Sequence, residues 1–365
     1  MTQLDLVNVR NYATLEFRPP PGLNVLVGAN AQGKSNLLEA IGLLGTGKSF
    51  RTAREGELIR DGYASASLSG EARLRAGSVR LSCTLTATPA GTRKLCALNG
   101  QSVRYAGYLG RLRVVTFVPA HLQLVAGGPA LRRAFLNAAL SQESSTYYAG
   151  LASYGNYVAQ KSALLRGAGA LDTDLLATYD ERLIALGTTL MLTRLAYVEA
   201  LGAHVRAVHR SWTGGSEGEL ELHYAPNVPF ETATPTGVES AYRARLTAQR
   251  TAEAVRKTAL VGPHRDDLEF RLDGRALGAF GSQGQQRTAV LALKVAEYAL
   301  MSVRSGEAPI LLLDDVLSEL DRARQTALLR AVSDVEQAFI TTTGELDVPV
   351  AATYRVEAAT LREVA

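Results

Sequence analysis

Apolar and polar residues alternate in several stretches of the first hundred residues, a pattern typical of half-buried β-strands. Alternation over residues 4–9 and 15–17 predicts a hairpin or a bent strand pair. It resumes in short pieces between residues 64 and 97, and the Asn99-Gly100 dipeptide after them is a strong signal for a hairpin turn. This part of the chain therefore predicts antiparallel sheet.

The middle third has the spacing of helices instead. Between residues 171 and 212 apolar residues recur at helical intervals without an internal proline. A second helix, rich in arginine, is predicted over residues 239–257. The stretch 129–257 is thus predicted to form a compact, mainly helical lobe, with its apolar stripes packed against each other.

Three short runs are apolar throughout and predict buried strands: residues 23–27, 114–118 and 309–313. The first run leads into Gly28 and the third into Asp314. The chemistry suggested by the sequence is concentrated directly after these two strands.

Composition adds a mild charge bias to this pattern. The chain has 365 residues and a net charge of +4, but residues 48–113 hold twelve Lys and Arg against four Asp and Glu, an excess of eight (12 − 4). Such a region suits a polyanion, although a solvated β-surface that happens to use arginine has the same composition. Two cysteines exclude a disulfide framework, and no Cys/His spacing suggests zinc.

The same survey gives expectations for the compartment. The first ten residues are charged and alternating, unlike a signal peptide, and no stretch of about eighteen uninterrupted apolar residues occurs. We therefore expect a reduced, cytoplasmic protein with no membrane partner.

Residues 28–35 carry the most specific motif of the chain, G-A-N-A-Q-G-K-S, between a predicted strand and a predicted helix. The pattern G-x-x-x-x-G-K-[ST] is a phosphate loop, in which backbone N–H groups cradle phosphates, the Lys reaches the outer phosphates and the Ser holds Mg²⁺. It predicts binding of ATP and Mg²⁺ by Gly28, Ala29, Asn30, Ala31, Gln32, Gly33, Lys34 and Ser35.

A second copy of the pattern, at residues 42–49, satisfies it letter for letter. The sequence before it is the predicted helix of the first copy rather than a strand, and residues 50–57 lack an apolar helical face. Only the first copy is therefore predicted to bind phosphate.

The run 309–315, P-I-L-L-L-D-D, ends a buried strand in two carboxylates. A phosphate-loop ATPase needs one Asp for the Mg²⁺ shell and one acidic group for the attacking water. We assign Asp314 to the metal and Asp315 to the water, with Asp315, Asp314 and Lys34 as the catalytic set. Asp315 is one methylene shorter than the Glu of many such ATPases, so weak, slow hydrolysis is expected.

Residues 282–287, S-Q-G-Q-Q-R, open a further predicted helix. A hydroxyl and free backbone N–H groups at a helix N-terminus form an anion site. We expect Ser282, Gln283, Gly284 and Gln285 to cap the γ-phosphate held by a second copy of the chain, so that ATP is sandwiched in a two-fold dimer.

These motifs, in this order and with S-E-L-D at residues 318–321, resemble the ATP-binding-cassette heads of the SMC type. Four strings are similar to the RecF family: N-V-R-N-Y at 8–12, G-K-S-F-R-T at 47–52, L-V-G-P-H-R-D-D at 260–267 and S-Q-G-Q-Q-R at 282–287. The resemblance covers residues 4 to about 343 and implies an α/β fold: a P-loop ATPase head, with a mixed sheet and an antiparallel β-region, formed by residues 1–128 and 258–365.

The resemblance also implies a function. RecF-like proteins are cytoplasmic bacterial repair proteins that bind DNA and ATP, dimerise on ATP, and work with RecR and RecO to place RecA at single-strand gaps next to duplex. It further implies that Arg10 and Asn11 border the nucleotide base and that residues 341–343 occupy the place of a transporter's switch histidine. The loop 119–122 lacks the acidic residue expected there, which leaves its role open; Gln123, which follows it, is a candidate for a water or magnesium contact.

Other interpretations compete with this one. A transporter nucleotide-binding subunit would need a membrane partner and usually a switch histidine. An SMC-like tether would need a longer insertion than residues 127–257. A nuclease reading of Asp266 and Asp267 fails if the segment is extended, because adjacent side chains then point to opposite faces. The basic helix at 239–257 is equally compatible with DNA contact and with a solvated surface.

Overall fold

The computed structural model describes residues 1–167, 171–344, 346 and 348–364; residues 168–170 of the predicted lobe and 345, 347 and 365 of the predicted head lie outside them. The described helices are α1 (Lys34–Thr46), α2 (Tyr105–Tyr108), α3 (Gln123–Ala126), α4 (Pro129–Glu143), α5 (Ser145–Arg166), α6 (Thr173–Thr213), α7 (Pro235–Arg256), α8 (Leu277–Phe280), α9 (Gln283–Ser305) and α10 (Arg322–Val332). The described strands are β1 (Gln3–Val9), β2 (Tyr12–Phe17), β3 (Gly22–Val27), β4 (Ser65–Leu74), β5 (Gly77–Thr88), β6 (Gly91–Leu98), β7 (Gln101–Val103), β8 (Val114–Phe117), β9 (Leu220–Ala225), β10 (Asp267–Leu272), β11 (Arg275–Ala276), β12 (Ile310–Leu313), β13 (Gln337–Thr342), β14 (Ala352–Glu357) and β15 (Thr360–Val364).

The chain divides into two compact units, one formed by Met1–Leu122 with Val290–Ala365 and the other by Gln123–Ala289. The second unit is larger than the predicted lobe at 129–257. One reason is that β10, placed in the head by the sequence, pairs with β9 along its whole length. This pairing could not be read from the order of motifs.

The first unit contains a six-stranded central sheet with the strand order β15-β14-β3-β13-β12-β8. All neighbours in it are parallel except β14 and β15. All four residues of β12 are buried, as expected for a strand covered on both faces. Since β13 lies between β3 and β12, the loops after these three strands meet at one edge of the sheet.

An antiparallel sheet with the order β2-β1-β4-β5-β6-β7 completes the first unit. The β1–β2 hairpin and the turn at Asn99-Gly100, with φ of 50° and 81°, confirm the predictions for this region. Helix α1 contributes Leu37, Leu38 and Ile41, all fully buried, to a core shared with residues of both sheets. The helix that follows the phosphate loop is therefore held on both sides by sheet.

The second unit is mainly helical, as predicted, with α5, α6 and α7 packed in sequence and a three-stranded sheet, β11-β10-β9, whose strand β9 packs on α6. Helix α6 is a single helix of 41 residues, about 60 Å long at 1.5 Å per residue. Asp172 caps its start by accepting from Leu175 N–H, and Gly214, at φ 59°, ends it.

Helix α6 is also long and apolar enough to cross a membrane by length and composition alone, with a best 18-residue window of mean hydropathy 1.3. Half of that window is buried inside the structure. This burial is what a core helix of the second unit requires.

Candidate functional site

The phosphate loop joins β3 to α1 and leaves no room for side chains at its two glycines. A Cβ on Gly28 would lie 2.4 Å from the carbonyl oxygen of Val356. Gly33 has φ 119°, and a Cβ there would lie 2.9 Å from Nδ2 of Asn11 and 3.0 Å from the hydroxyl of Tyr12. Both glycines are thus required by close packing. Helix α1 begins at Lys34, so its first backbone N–H groups, which lack partners within a helix, face the loop.

Lys34 is almost fully buried at the start of this helix. Its ammonium donates hydrogen bonds to the carbonyl oxygens of Gly28 (2.5 Å) and Ala29 (2.8 Å). Burial lowers the pKa of Lys34, and the negative charges of Asp315 and Asp314 oppose that shift. The two carboxylates predicted from β12 therefore lie within electrostatic reach of the phosphate-loop lysine.

Asp314 is the buried member of this pair. Burial raises the pKa of its carboxyl group, while hydrogen bonding by Ser35 and Thr341 and the charge of Arg51 act to lower it. Thr341 donates from its hydroxyl to Oδ1 of Asp314 over 3.0 Å. The structure thus brings the predicted metal residues, Ser35 and Asp314, to the same place.

Asp315 is exposed and has a left-handed backbone, with φ 51°. Its backbone N–H donates to Thr341 Oγ1 over 2.8 Å, and its carbonyl accepts from the hydroxyl of Ser318. A non-glycine residue in this conformation is uncommon and needs such support. Asp315 is thus exposed whereas Asp314 is buried, a difference that is compatible with separate roles for the two.

Arg10 and Asn11 form the turn between β1 and β2. The guanidinium of Arg10 binds both carboxylate oxygens of Glu39, each over 2.8 Å. Asn11 donates to the carbonyl of Gln32 over 3.2 Å and accepts from Asn36. Asn11 therefore borders the phosphate loop, whereas Arg10 is engaged by the buried Glu39; contact of either residue with a nucleotide base stays a prediction.

The second Gly-Lys-Ser string is not a phosphate loop, as predicted. Its first glycines lie inside α1, and Gly47 ends the helix at φ 64°. The C-terminal end of a helix dipole is negative and repels anions. Ser49 instead hydrogen-bonds Glu39, and Arg51 donates to Asn36 over 2.6 Å. The string thus ties the segment after α1 back onto the helix.

The S-Q-G-Q-Q-R string at residues 282–287 lies in the second unit and opens α9. Ser282 Oγ accepts from Gln285 N–H over 3.2 Å, and Gln285 Oε1 accepts from Ser282 N–H over 2.9 Å. This reciprocal pair is a capping box, which fixes the helix start. Ser282 and Gln283 are exposed and Gly284 is half-buried, so the helix N-terminus remains open to an anion.

The G-P-H-R-D-D string forms a buried polar network. Asp266 is fully buried and accepts from Arg194 over 2.8 Å and from the backbone of Asn227 over 2.8 Å. Asp267 is bound instead by Arg132, through Nε and Nη2. The two carboxylates face different arginines, and the described part of the chain holds no group of three His, Cys, Asp or Glu residues that could hold a metal ion.

Two features whose roles the sequence left open are the loop 119–122 and the basic helix α7. The loop 119–122 is a short 3₁₀ turn, in which burial lowers the pKa of His121 to about 3, and Gln123 begins α3. In the basic helix α7, Arg243 pairs with Glu181 and Arg250 with Asp180. Pairing removes part of the positive charge that a polyanion would contact.

A phosphate loop after β3 and an acidic pair after β12, on a sheet in which β13 separates these strands, define an ATP-binding-cassette head of the SMC type. The profile of the RecF/RecN/SMC N terminal domain matches residues 1–357. The chain is 40% identical to the DNA replication and repair protein RecF of Streptococcus equi subsp. zooepidemicus (strain MGCS10565), over 93% of this chain and 91% of the relative. It is 42% identical to RecF of Symbiobacterium thermophilum, over 94% and 91%. The chain belongs to the RecF family.

Solved structures agree with this assignment. The recombination mediator protein RecF with ATP, of the RecFOR pathway, superposes with a TM-score of 0.91 at 30% identity, covering 100% of this chain and 97% of that one. An SMC head bound to the C-winged helix domain of ScpA gives a TM-score of 0.55 at 15% identity, covering 100% and 97%, which shows a shared fold alone.

Sequence reasoning missed two contributors to the site. Glu39 is 1% exposed on α1 and binds Arg10, Ser49 and Arg51, yet nothing in its sequence neighbourhood marks it as buried. For Thr341, the sequence predicted only that it occupies the place of a transporter's switch histidine, not that it contacts Asp314. This contact could have been predicted, because a hydroxyl at the end of a strand beside β12 can reach the carboxylate of Asp314.

Proposed function

We propose that the chain is an ATP-dependent DNA-binding protein of recombinational repair, in which ATP controls dimerisation and slow hydrolysis times release. The observation that carries this proposal is the meeting of Lys34 and Ser35 with Asp314 and Asp315 at one edge of the central sheet. Such a cluster serves to bind and cleave a nucleoside triphosphate.

The residues present fit ATP with Mg²⁺. Ser35 and Asp314 would hold the ion, which commonly takes only one or two protein ligands and completes its shell with water and phosphate oxygens. When bound, it supplies positive charge to the β- and γ-phosphates. Lys34, now held by two loop carbonyls, has the reach and charge to exchange them for phosphate oxygens.

Hydrolysis is assigned to Asp315, supported by Thr341. Asp315 is exposed, so its carboxylate can contact a water molecule beside the γ-phosphate. A shorter Asp in this role is expected to orient that water less well than Glu would. We infer an ATPase of low turnover, stimulated by DNA, that acts as a switch.

The second half of the nucleotide site comes from a second copy of the chain. Ser282 and the α9 N-terminus form an exposed anion site with a fixed helix start. Capping the γ-phosphate of the partner's ATP gives a contact that exists only in the dimer, so ATP favours that state. The proposed assembly is a two-fold dimer with two composite sites.

The partners follow from the family. The relatives are named for DNA replication and repair, and a solved relative is placed in the RecFOR pathway. We infer that this chain acts in the cytoplasm on duplex DNA and single-strand/duplex junctions, and that it works with RecR and RecO to load RecA. The region 48–113 would supply part of the positive charge for DNA.

The duplicated Gly-Lys-Ser string provides a matched control for testing this proposal. Lys34→Ala should weaken binding of a fluorescent ATP analogue at least about tenfold, because the buried ammonium that meets the outer phosphates is lost. Lys48→Ala removes the same side chain from the second string, where it is exposed at the end of α1, and should bind as wild type does. An equal loss of ATP affinity in the two variants would contradict the assignment of the phosphate loop to residues 28–35.

A further inference from the structure

Two arginines face each other near the end of the described chain. In the antiparallel β14–β15 hairpin, Arg355 lies directly opposite Arg362. Both are exposed, and neither forms an ion pair with any described residue. Like charges directly opposite one another destabilise a strand pair. The hairpin therefore holds an unfavourable arrangement that an anion would relieve.

The two arginines line a cleft of about 260 Å³, together with Glu357, Ala358 and Thr360. Arginine presents a planar fork of N–H donors that matches two oxygens of a phosphate group. With Glu357 in the same wall, the charged side chains sum to +1. This suits a phosphodiester, which carries a single negative charge, better than a dianionic terminal phosphate.

The turn of this hairpin is fastened to the phosphate loop. Ala358 donates its N–H to Oε1 of Gln32 over 2.7 Å, and Ala359 donates its N–H to the carbonyl of Gln32 over 3.0 Å. Both alanines have left-handed backbones, with φ of 48° and 59°, at turn positions that normally take Asn-Gly. The hydrogen bonds to Gln32 support that conformation, so the cleft and the phosphate loop share one rigid connection.

We propose that the cleft between Arg355 and Arg362 binds a backbone phosphate of DNA. The inference rests on the proposed function and assigns one DNA contact of the chain. Arg355 lies inside the stretch 1–357 that matches the family domain, and Arg362 lies five residues beyond its end. Through Gln32, a DNA phosphate held here is linked by a single turn to the loop that holds ATP.

The test compares two double variants of equal charge in the full chain. Arg355→Gln/Arg362→Gln, the cleft variant, removes both guanidinium groups that line the cleft. Arg210→Gln/Arg330→Gln, the control variant, removes two exposed arginines elsewhere. Binding of gapped duplex DNA at saturating ATP is followed by anisotropy over a range of salt concentrations. The cleft variant should bind at least about fivefold more weakly, and its slope of log K against log salt should be shallower by about 1 to 2, since one or two phosphate contacts are lost. The control variant should keep the wild-type slope.

Two further readouts separate this role from a structural one. Removing the repulsion should leave the thermal midpoint of Arg362→Gln unchanged or raised, while its DNA affinity falls. Arg355→Lys/Arg362→Lys should recover part of the affinity. A wild-type salt slope in the cleft variant overturns the proposal. The proposal is also overturned if the cleft variant binds DNA as wild type does but binds the ATP analogue or inorganic phosphate more weakly. That result would mean that the cleft binds a free phosphate. Absence of DNA binding by the wild-type chain would instead overturn the proposed function, and this inference with it.

Discussion

The hydroxyl of Thr341 lies 3.0 Å from Oδ1 of Asp314, at the adjoining ends of two parallel strands. The hydroxyl oxygen of Thr341 also accepts a hydrogen bond from the backbone N–H of Asp315, over 2.8 Å. One side chain therefore contacts the carboxylate assigned to the metal and supports the left-handed backbone of Asp315, the residue assigned to the water. We therefore propose that Thr341 is a positioning residue that acts through both aspartates.

Thr341→Val should reduce ATP turnover by about tenfold or more while ATP binding changes little. Valine has nearly the same shape but leaves the N–H of Asp315 without its partner, and such a loss costs about 1–3 kcal/mol. It also removes a bond that lowers the pKa of Asp314, so more Mg²⁺ and a higher pH should be needed for half-maximal turnover. Single-turnover hydrolysis over a Mg²⁺ and pH series measures both effects.

Thr341→Ser is the matched control, because serine keeps the hydroxyl. It should restore most of the turnover and the wild-type Mg²⁺ dependence. Equal losses in the serine and valine variants would show that Thr341 acts through packing alone.

Asp315→Asn should trap ATP without hydrolysing it. The amide has almost the shape of the carboxylate but cannot accept a proton, and a positioned general base contributes about 10²–10⁴-fold. The variant should bind ATP as wild type does and accumulate as a nucleotide-bound dimer. Turnover at the wild-type rate would remove Asp315 from this role.

The second unit depends on a buried charge cluster. Lys161 is fully buried and lies 2.8 Å from Asp180 and 2.6 Å from Glu253. Lys161→Met should lower the free energy of unfolding by about 3–5 kcal/mol, because two buried carboxylates lose their common cation. Urea unfolding measures the loss. Arg243→Gln, which breaks an exposed pair with Glu181, should change the free energy of unfolding little, because water and salt screen exposed ion pairs. A similar small cost for both variants would contradict this account of the cluster.

Acid should destabilise the second unit through His264. Its ring accepts a hydrogen bond from Tyr154 and donates one to the carbonyl of Ala259, and burial lowers its pKa from 6.5 to about 4. Between pH 6.5 and about 4, His264 is protonated in the unfolded chain but stays neutral in the folded chain. The free energy of unfolding therefore decreases as the pH falls, by at most about 1.4 kcal/mol per pH unit. Urea unfolding over this range should show a shallower pH dependence for His264→Gln than for wild type. An identical dependence would mean that folding does not lower the pKa of His264.

Local motifs were sufficient to locate the candidate site. Gly28 to Ser35 and the aspartates after β12 are recognisable because each needs only its own neighbours: a strand, a turn and a helix start. The rejection of the second Gly-Lys-Ser string rested on the same kind of local context and is confirmed, since Gly47 ends α1.

Features that depend on the meeting of distant segments could not be predicted. Glu39 is buried on α1, where Arg10 and Arg51 reach it from other parts of the chain. The start of α7 was placed at residue 239, although Thr234 caps a helix that begins with Pro235. That signal was available, because proline is favoured in the first helical turn.

The most direct test of the central claim is sedimentation of the chain with and without ATP, in the presence of gapped DNA. We expect a monomer or a weak dimer without ATP, a stable DNA-bound dimer with it, and no ATP-dependent dimer for Lys34→Ala. Ser282→Arg should bind ATP as a monomer, because the arginine blocks the site for the partner's γ-phosphate. An ATP-dependent dimer of Ser282→Arg, or a wild-type chain that stays monomeric at saturating ATP, would contradict the account.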